Sequence, residues 1–142
     1  MIPGIYTMNN IKKSDIGGSE TILIVDDHET VWDFLIDGLQ QLGYSVLLAE
    51  NGIDAVEIYE ANPNCIDLVL LDMIMPQAGG HTTFYRIRNI DPQAKILLSS
   101  GFVSESEVDD LLKAGAVGFL PKPHRLADVA AEIRRVLDSS KA

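Results

Sequence analysis

Five short apolar segments recur along the chain, separated by longer segments in which apolar positions follow a helical period. Successive apolar segments begin between 21 and 29 residues apart, which leaves room for one helix and its loops between each pair. Sequences such as LVLL and ILLS are apolar on both faces, as strands buried between two layers of helices must be. The predicted strands are 21–25, 45–49, 66–71, 95–99 and 117–120.

The segments between these strands, and the segment after the last one, carry the signals of five helices. Leu35 and Leu39 lie on one face of the first helix, and Asn51 and Ser104 are suited to cap the second and the fourth. The third, over 82–89, is the weakest by helix propensity. Strict alternation with right-handed crossovers predicts an α/β fold, a doubly wound parallel sheet of five strands with five helices on its two faces.

The composition is that of a soluble globular domain, with 46% hydrophobic and 23% charged residues and a net charge of −10. Such an acidic chain repels phosphate backbones and anionic lipids, so we expect no direct nucleic-acid binding and no membrane insertion. The one cysteine, Cys65, cannot form an internal disulfide, which favours a reducing compartment. We therefore expect a cytoplasmic protein.

One domain accounts for most of the 142 residues. The first 20 residues mix Gly, Asn, Ser and Lys without periodicity, which predicts a flexible leader or linker over 1–20. The domain itself is predicted over 21–138, and a short C-terminal tail over 139–142.

Polar side chains stand at the carboxyl ends of four predicted strands, where the working residues of a doubly wound sheet belong. The first strand is followed by Asp26 and Asp27, and the third by Asp72. The fourth ends near Ser100, and the fifth leads into Lys122. Three carboxylates, a hydroxyl and an ammonium group are therefore expected at one edge of the sheet.

Three adjacent carboxylates cannot all stay ionised without a compensating cation. Oxygen ligands of this kind suit a hard divalent ion, Mg²⁺ above all. The metal, Lys122 and Ser100 could together neutralise the oxygens of a phosphoryl group. A central carboxylate could then act as the nucleophile and form an acyl phosphate.

Four motifs carry a family resemblance: ILIVDDHE, LVLLDMIMPQAGG, ILLSSG and GFLPKP. With them, residues 21–138 resemble the receiver domain of bacterial two-component response regulators. The resemblance implies a flavodoxin-like, receiver-type fold with strand order 2-1-3-4-5. The sequences GGSETILIVDD and FLPKP are most similar to receivers of hybrid sensor histidine kinases.

The resemblance also implies roles for the acidic residues. Asp72 matches the phosphoacceptor of the family. Asp27 matches the direct metal ligand, and Asp26 the ligand that acts through water. The backbone carbonyl of Ile74 matches the remaining metal-ligand position on the protein.

Further roles follow for residues of the last two strands. Lys122 matches the phosphate-binding lysine and Phe119 the rotating aromatic of the fifth strand. Ser100 matches the switch hydroxyl. Ser99 competes with it for that role, and Ser100 is favoured because it directly precedes Gly101.

Family members take a phosphoryl group from a histidine kinase or a histidine phosphotransfer protein. They then repack the face formed by the fourth helix, the fifth strand and the fifth helix. The resemblance implies the same partners here, with a downstream protein target that the sequence does not name. It implies a signalling domain whose only reactions are self-phosphotransfer and self-dephosphorylation.

Simpler interpretations exist for several of these residues. Asp26 and Asp27 could merely cap the first helix, Lys122 could be an ordinary surface lysine, and Phe119 could be plain core. The combination with Asp72 at a neighbouring strand end favours the functional interpretation. The histidines show no spacing typical of a zinc site and are expected at the surface; they are His28, His81 and His124.

Two other functions compete with the signalling switch. An aspartate-nucleophile phosphatase of the haloacid dehalogenase type needs a second Asp two residues after the nucleophile, where this chain has Ile74, which cannot transfer a proton. A receiver-shaped scaffold that is never phosphorylated stays open. If the switch is correct, Ile74 and Phe102 are expected to shield the phosphoryl group from water, because both are bulky and apolar.

Overall fold

The protein, seen in a computed structural model, is described over residues 16–75, 79–101, 104–122 and 125–139. Five strands and five helices alternate through these residues. The strands are β1 (Thr21–Val25), β2 (Ser45–Ala49), β3 (Leu68–Asp72), β4 (Ile96–Ser100) and β5 (Gly118–Pro121). The helices are α1 (Glu29–Gln41), α2 (Gly52–Ala61), α3 (Gly80–Ile90), α4 (Glu105–Lys113) and α5 (Leu126–Ser139).

The five strands form one parallel sheet in the order β2-β1-β3-β4-β5. The predicted fold class and strand order are therefore confirmed. β3 begins two residues later than predicted, and β4 and β5 each lie one residue further along the chain. β4 thus ends on Ser100, and its register pairs Ser99 with Asp72 and Ser100 with Pro121.

Hydrophobic side chains cover both faces of the sheet. Alternate residues of a strand point to opposite faces. Accordingly, Ile22 and Ile24 belong to a core with α1 and α5, whereas Leu23 and Val25 belong to a second core with α2, α3 and α4. The central strands β1, β3 and β4 are almost entirely buried, and their polar side chains lie at the strand ends.

The helix caps follow the sequence signals. The side chain of Asn51 accepts a hydrogen bond from the backbone N–H of Asp54 at 2.8 Å, and that of Ser104 accepts one from Glu107 at 3.2 Å. Gly43 follows α1 with a φ of 104°, a left-handed conformation that favours glycine. These caps satisfy backbone groups that a helix end leaves unpaired.

Residues 16–20, which the sequence places in the predicted leader, contact the domain. Ile16 is buried in the core on the α1 and α5 side, and the N–H of Gly18 donates to the carbonyl of Leu42 at 3.1 Å. Glu20 pairs with Arg134 of α5 at 2.7 Å. Residues 1–15 and 140–142 lie outside the described residues, so the predicted leader and tail are only partly covered.

The longest described helix is α5, with 14 residues. None of the helices in the described ranges is long and apolar enough to cross a membrane.

Candidate functional site

The three aspartates converge because β1 and β3 are neighbours in register. Val25 lies opposite Leu71 in the sheet, so Asp26, directly after β1, and Asp72, the last residue of β3, lie side by side. Both are buried, with 4% and 3% of their surface exposed. Asp27 is more exposed and borders the same pocket. The predicted convergence of carboxylates is present in the structure.

Lys122 reaches this pocket from the end of β5. Its Nζ lies 2.7 Å from Oδ2 of Asp26 and 3.4 Å from Oδ2 of Asp72. Its backbone N–H donates to the carbonyl of Ser100 at 2.9 Å, which holds this residue against the end of β4. The side chain is only 16% exposed, which is not typical of an ordinary surface lysine.

Burial dominates the electrostatics of Asp72. The loss of hydration raises the pKa of its carboxyl group, the positive charge of Lys122 opposes that rise, and the negative charge of Asp26 adds to it. The backbone N–H of Ile74 donates to Oδ1 of Asp72 at 3.2 Å and also favours the ionised form. Lys122 therefore helps keep Asp72 ionised in an environment that disfavours charge.

Two carboxylate oxygens in the pocket accept no hydrogen bond of good geometry from the described residues, although a side-chain nitrogen lies within 3.4 Å of each. They are Oδ2 of Asp72 and Oδ1 of Asp27, and both atoms are buried. An unsatisfied buried oxygen is costly unless something else binds it. The acidic donor set and these two oxygens fit a divalent cation, which would bind the atoms that the protein leaves unpaired.

A histidine joins the aspartates in a way the sequence did not indicate. Nδ1 of His28 lies 3.1 Å from Oδ1 of Asp26 and 3.2 Å from Oδ1 of Asp27. One donor atom from each of Asp26, Asp27, His28 and Asp72 falls within a span of 4.8 Å. The prediction of a surface position holds, since the side chain is 57% exposed. The only sequence signal for its contact was its place directly after Asp27.

Two serines lie at the end of β4, and each is 2% exposed. The carbonyl of Ser99 accepts a hydrogen bond from Met73, and that of Ser100 accepts one from Lys122, both at 2.9 Å. These two hydrogen bonds connect β4 to the residues that follow β3 and β5. The switch role of Ser100, and its preference over Ser99, stays a prediction.

The remaining site residues occupy the rim and the sheet. Ile74 is 53% exposed beside Asp72, and its carbonyl as a metal ligand stays a prediction. Phe119 is half-buried and packs on the core formed with α2, α3 and α4, which is the packing position that the simpler interpretation expected. Its rotation is untested. Phe102 lies outside the described residues, so the expected shielding also stays a prediction.

Helix α3 begins against the end of β3. The N–H of Gly80 donates to the carbonyl of Met73 at 3.0 Å. A Cβ at Gly80 would lie 2.5 Å from the Cα of Met73 and 3.0 Å from the carbonyl oxygen of Asp72. Glycine therefore allows the helix to approach the backbone that carries the central carboxylate.

The family comparison agrees with this geometry. The sequence model of the response regulator receiver domain matches residues 22–134. The chain belongs to this receiver domain family. Receiver domains are signalling domains of two-component systems and work with histidine kinases, so the resemblance, the fold class and the general function expected from the sequence are confirmed.

Relatives of this receiver domain occur both alone and within kinases. It is 33% identical over 127 residues to sensor kinase CckA of Brucella abortus (strain 2308). This match covers 89% of this chain but only 13% of the kinase. It is 38% identical over 118 residues to chemotaxis protein CheY of Bacillus subtilis (strain 168), covering 82% of this chain and 97% of that protein.

A solved relative shows the same fold. The CheX-CheY-BeF3-Mg²⁺ complex from Borrelia burgdorferi contains a chain that is 31% identical, with a TM-score of 0.79. The match covers 82% of this receiver domain and 88% of that chain.

Proposed function

We propose that this receiver domain is a phosphorylation-controlled switch in which Asp72 accepts a phosphoryl group from a histidine kinase or a histidine phosphotransfer protein. One observation carries the proposal. The buried Asp72 carboxylate directs an oxygen that accepts no well-formed hydrogen bond into a pocket where Nζ of Lys122 lies 3.4 Å from it and two more carboxylates are present. An ordinary buried aspartate would have that oxygen satisfied.

The residues of the chain supply the nucleophile and part of the charge compensation. An oxygen of Asp72 attacks the phosphorus, and the bond between phosphorus and the donor imidazole breaks, leaving an acyl phosphate on the protein and a neutral histidine on the donor after proton uptake. Lys122, now 2.7 Å from Asp26 and 3.4 Å from Asp72, would pair with a phosphoryl oxygen and offset its negative charge.

Magnesium is the proposed cofactor of this step. Asp26, Asp27, Asp72 and the carbonyl of Ile74 would hold it, and the bound ion would supply positive charge to the phosphoryl oxygens. The solved CheY relative carries Mg²⁺ and BeF3 in its complex, which supports the same chemistry here.

The output of the switch would be a change in protein contacts. Ser100, at the end of β4, would bind a phosphoryl oxygen, and Phe119 in β5 would change its position as β4 moves. Phe119 is half-buried and packs against the core formed with α2, α3 and α4, so its movement would rearrange the face formed by α4, β5 and α5. That face would then bind a downstream protein.

Acceptor identity is tested by labelling. With Mg²⁺ and a small phosphodonor such as acetyl phosphate, we expect intact-mass spectrometry to show one added phosphoryl group that hydroxylamine removes. Asp72→Asn should abolish the labelling because the amide is a poor nucleophile, whereas Asp109→Asn, at an exposed position of α4, should label like the wild type. Equal labelling of Asp72→Asn and the wild type would overturn the proposal, and no labelling of any protein would favour an unphosphorylated scaffold.

A further inference from the structure

Residues 16–20 form a short entry segment that packs on the domain ahead of β1. The sequence pattern of the receiver family begins only at residue 22 of this chain, yet Ile16 is buried in the core with α1 and α5. The N–H of Gly18 donates to the carbonyl of the residue after α1 at 3.1 Å, and the hydroxyl of Tyr44 donates to the carbonyl of Ile16 at 3.1 Å. A buried apolar anchor and these hydrogen bonds fix the direction in which the chain enters the domain.

One side chain of α5 holds this entry segment. Nη2 of Arg134 lies 2.7 Å from Oε2 of Glu20, and Nη1 donates to Oε1 of the same carboxylate at 3.0 Å. Nη1 also donates to the carbonyl of Gly17 at 3.2 Å. A bidentate pair between a guanidinium and a carboxylate fixes orientation as well as distance. The entry segment and α5 are therefore expected to move together while this pair is intact.

A second ion pair joins the same two elements at the pocket. Lys122 precedes α5, and its Nζ lies 2.7 Å from Oδ2 of Asp26, which follows β1. Glu20 precedes β1, and Arg134 lies in the second half of α5, about 12 Å along the helix from its start. β1 and α5 are thus held by one ion pair at the pocket and by another at the opposite end of the strand.

The proposed phosphoryl transfer acts on only one of these two pairs. Lys122 would turn from Asp26 towards a phosphoryl oxygen on Asp72, which weakens the pair at the pocket. The Glu20–Arg134 pair would stay intact, because it lies at the other end of β1. Packed helices respond to such changes as rigid bodies, with shifts of about 1–2 Å. A shift at the start of α5 would therefore reach the entry segment through Arg134.

We propose that the Glu20–Arg134 pair couples the phosphorylation pocket to the chain that precedes residue 16, which gives the switch a second route of output beside the face of α4, β5 and α5. The inference rests on the proposed function, because it starts from the change at Lys122. Coupling between two sites is reciprocal. Loading the pocket must change the attachment of the entry segment, and releasing the entry segment must change the affinity of the pocket by the same factor.

The first measurement follows the entry segment in the whole protein. Beryllofluoride with Mg²⁺ serves as the phosphoryl analogue, and amide hydrogen exchange at Gly18, measured by NMR, reports on the hydrogen bond that attaches the segment. We expect the analogue to change the exchange rate of Gly18 by at least about fivefold relative to Mg²⁺ alone. In Glu20→Gln the analogue should leave that rate unchanged, because the entry segment no longer follows α5.

The second measurement is the affinity of the pocket for beryllofluoride at saturating Mg²⁺, obtained by calorimetric titration. Glu20→Gln should change this affinity by about the same fivefold factor. Arg134→Lys keeps the positive charge but loses the fork that binds both oxygens of Glu20. It should change the affinity in the same direction by a smaller factor, and it replaces Glu20→Gln in the test if that variant folds poorly.

Glu132→Gln is the matched control. Glu132 lies in α5 with 23% of its side chain exposed, against 24% for Glu20, and it pairs with Arg135 of the same helix. This variant should keep the wild-type response of Gly18 exchange and the wild-type affinity for beryllofluoride. A change as large as that of Glu20→Gln would overturn the inference, because the loss of any acidic charge near α5 would then suffice.

The remaining outcomes separate this inference from the proposed function. If beryllofluoride binds the wild type but leaves Gly18 exchange unchanged, or binds Glu20→Gln with the wild-type affinity, the coupling is absent and the proposed function stands. If beryllofluoride with Mg²⁺ does not bind the wild type, the proposed function fails and the inference fails with it.

Discussion

The carboxylates of the pocket repel one another, and Lys122 compensates only part of their negative charge. Asp26 and Asp72 are almost fully buried, and burial together with the charge of Asp26 raises the pKa of Asp72. Lys122 compensates one unit of charge, which is less than the three carboxylates carry when ionised. The native state therefore contains an electrostatic cost that a divalent ion would remove.

Magnesium should stabilise the protein by mass action, and Asp27→Ala should weaken the effect. At ten times the dissociation constant, a ligand that binds only the native state adds roughly 1.4 kcal/mol, which raises Tm by about 4 °C for a chain of this size. Asp27→Ala should show a smaller rise. Without metal it should melt no lower than the wild type, because one repelling carboxylate is gone. Differential scanning calorimetry measures both effects.

Asp33→Ala is a suitable control, since Asp33 is an exposed residue of α1, and its Mg²⁺ response should match that of the wild type. A metal-independent Tm in the wild type, with Asp27→Ala melting lower, would show that the carboxylates do not share a metal.

At the scale of the elements, the central strands β1, β3 and β4 could be predicted because they are buried on both faces and their sequences are mostly apolar. Helix α3 was predicted over 82–89 but begins at Gly80. Glycine is a poor helix former, so local propensity moved the predicted start inward. The actual start lies where Gly80 approaches the backbone of Met73, a contact across the loop after β3 that helix propensity does not encode.

The candidate site likewise contains residues whose positions the sequence predicts and one contact that it does not. Asp26, Asp72 and Lys122 could be placed together because each follows a strand and parallel strand ends share one edge. The contact of His28 with the carboxylates could not be predicted, because it depends on the direction in which one side chain leaves the start of α1.

Gly80→Ala should therefore destabilise the protein by about 1–3 kcal/mol, the cost of forcing an extra methyl group into a filled space. Gly79→Ala is the matched control. A Cβ at Gly79 meets only the carbonyl of Met73 at 3.8 Å, and its φ of −61° suits alanine, so Gly79→Ala should cost only the loss of a favoured N-cap residue, about 0.5 kcal/mol. Urea denaturation of the two variants checks this. Equal stabilities would mean that the close contact carries no energetic weight.

Over the whole molecule, the pocket and the attachment of residues 16–20 lie at opposite ends of β1. Asp26 follows that strand, whereas Glu20 precedes it. At the far end, the guanidinium of Arg134 donates to Glu20, to the carbonyl of Gly17 and to the hydroxyl of Tyr44. One α5 side chain therefore joins the segment before β1 to the segment between α1 and β2. This network could not be predicted from sequence, because the sequence indicates only that Arg134 is a cationic residue near the C-terminal end of a helix.

The Glu20–Arg134 pair should make stability depend on pH in acid. The hydrogen bond from Arg134 lowers the pKa of Glu20 from an ordinary value of 4.5 to about 2. A carboxyl group with a lowered native pKa contributes stability above its unfolded pKa, and this contribution is lost as the pH falls from about 4.5 towards 2. Glu20→Gln should thus cost roughly 1 kcal/mol at pH 7, a modest value because the pair is partly exposed.

The difference between the wild type and Glu20→Gln is the quantity to measure, because the protein as a whole also changes stability in acid. Urea denaturation at several pH values should show a difference that is constant from neutral pH to about 5 and then shrinks steadily as Glu20 of the wild type becomes protonated. Glu57→Gln, at an exposed position of α2, should show no comparable pH-dependent difference. If the Glu20→Gln difference is absent at pH 7, or persists undiminished near pH 2, the ion pair does not hold the segment before β1 to α5.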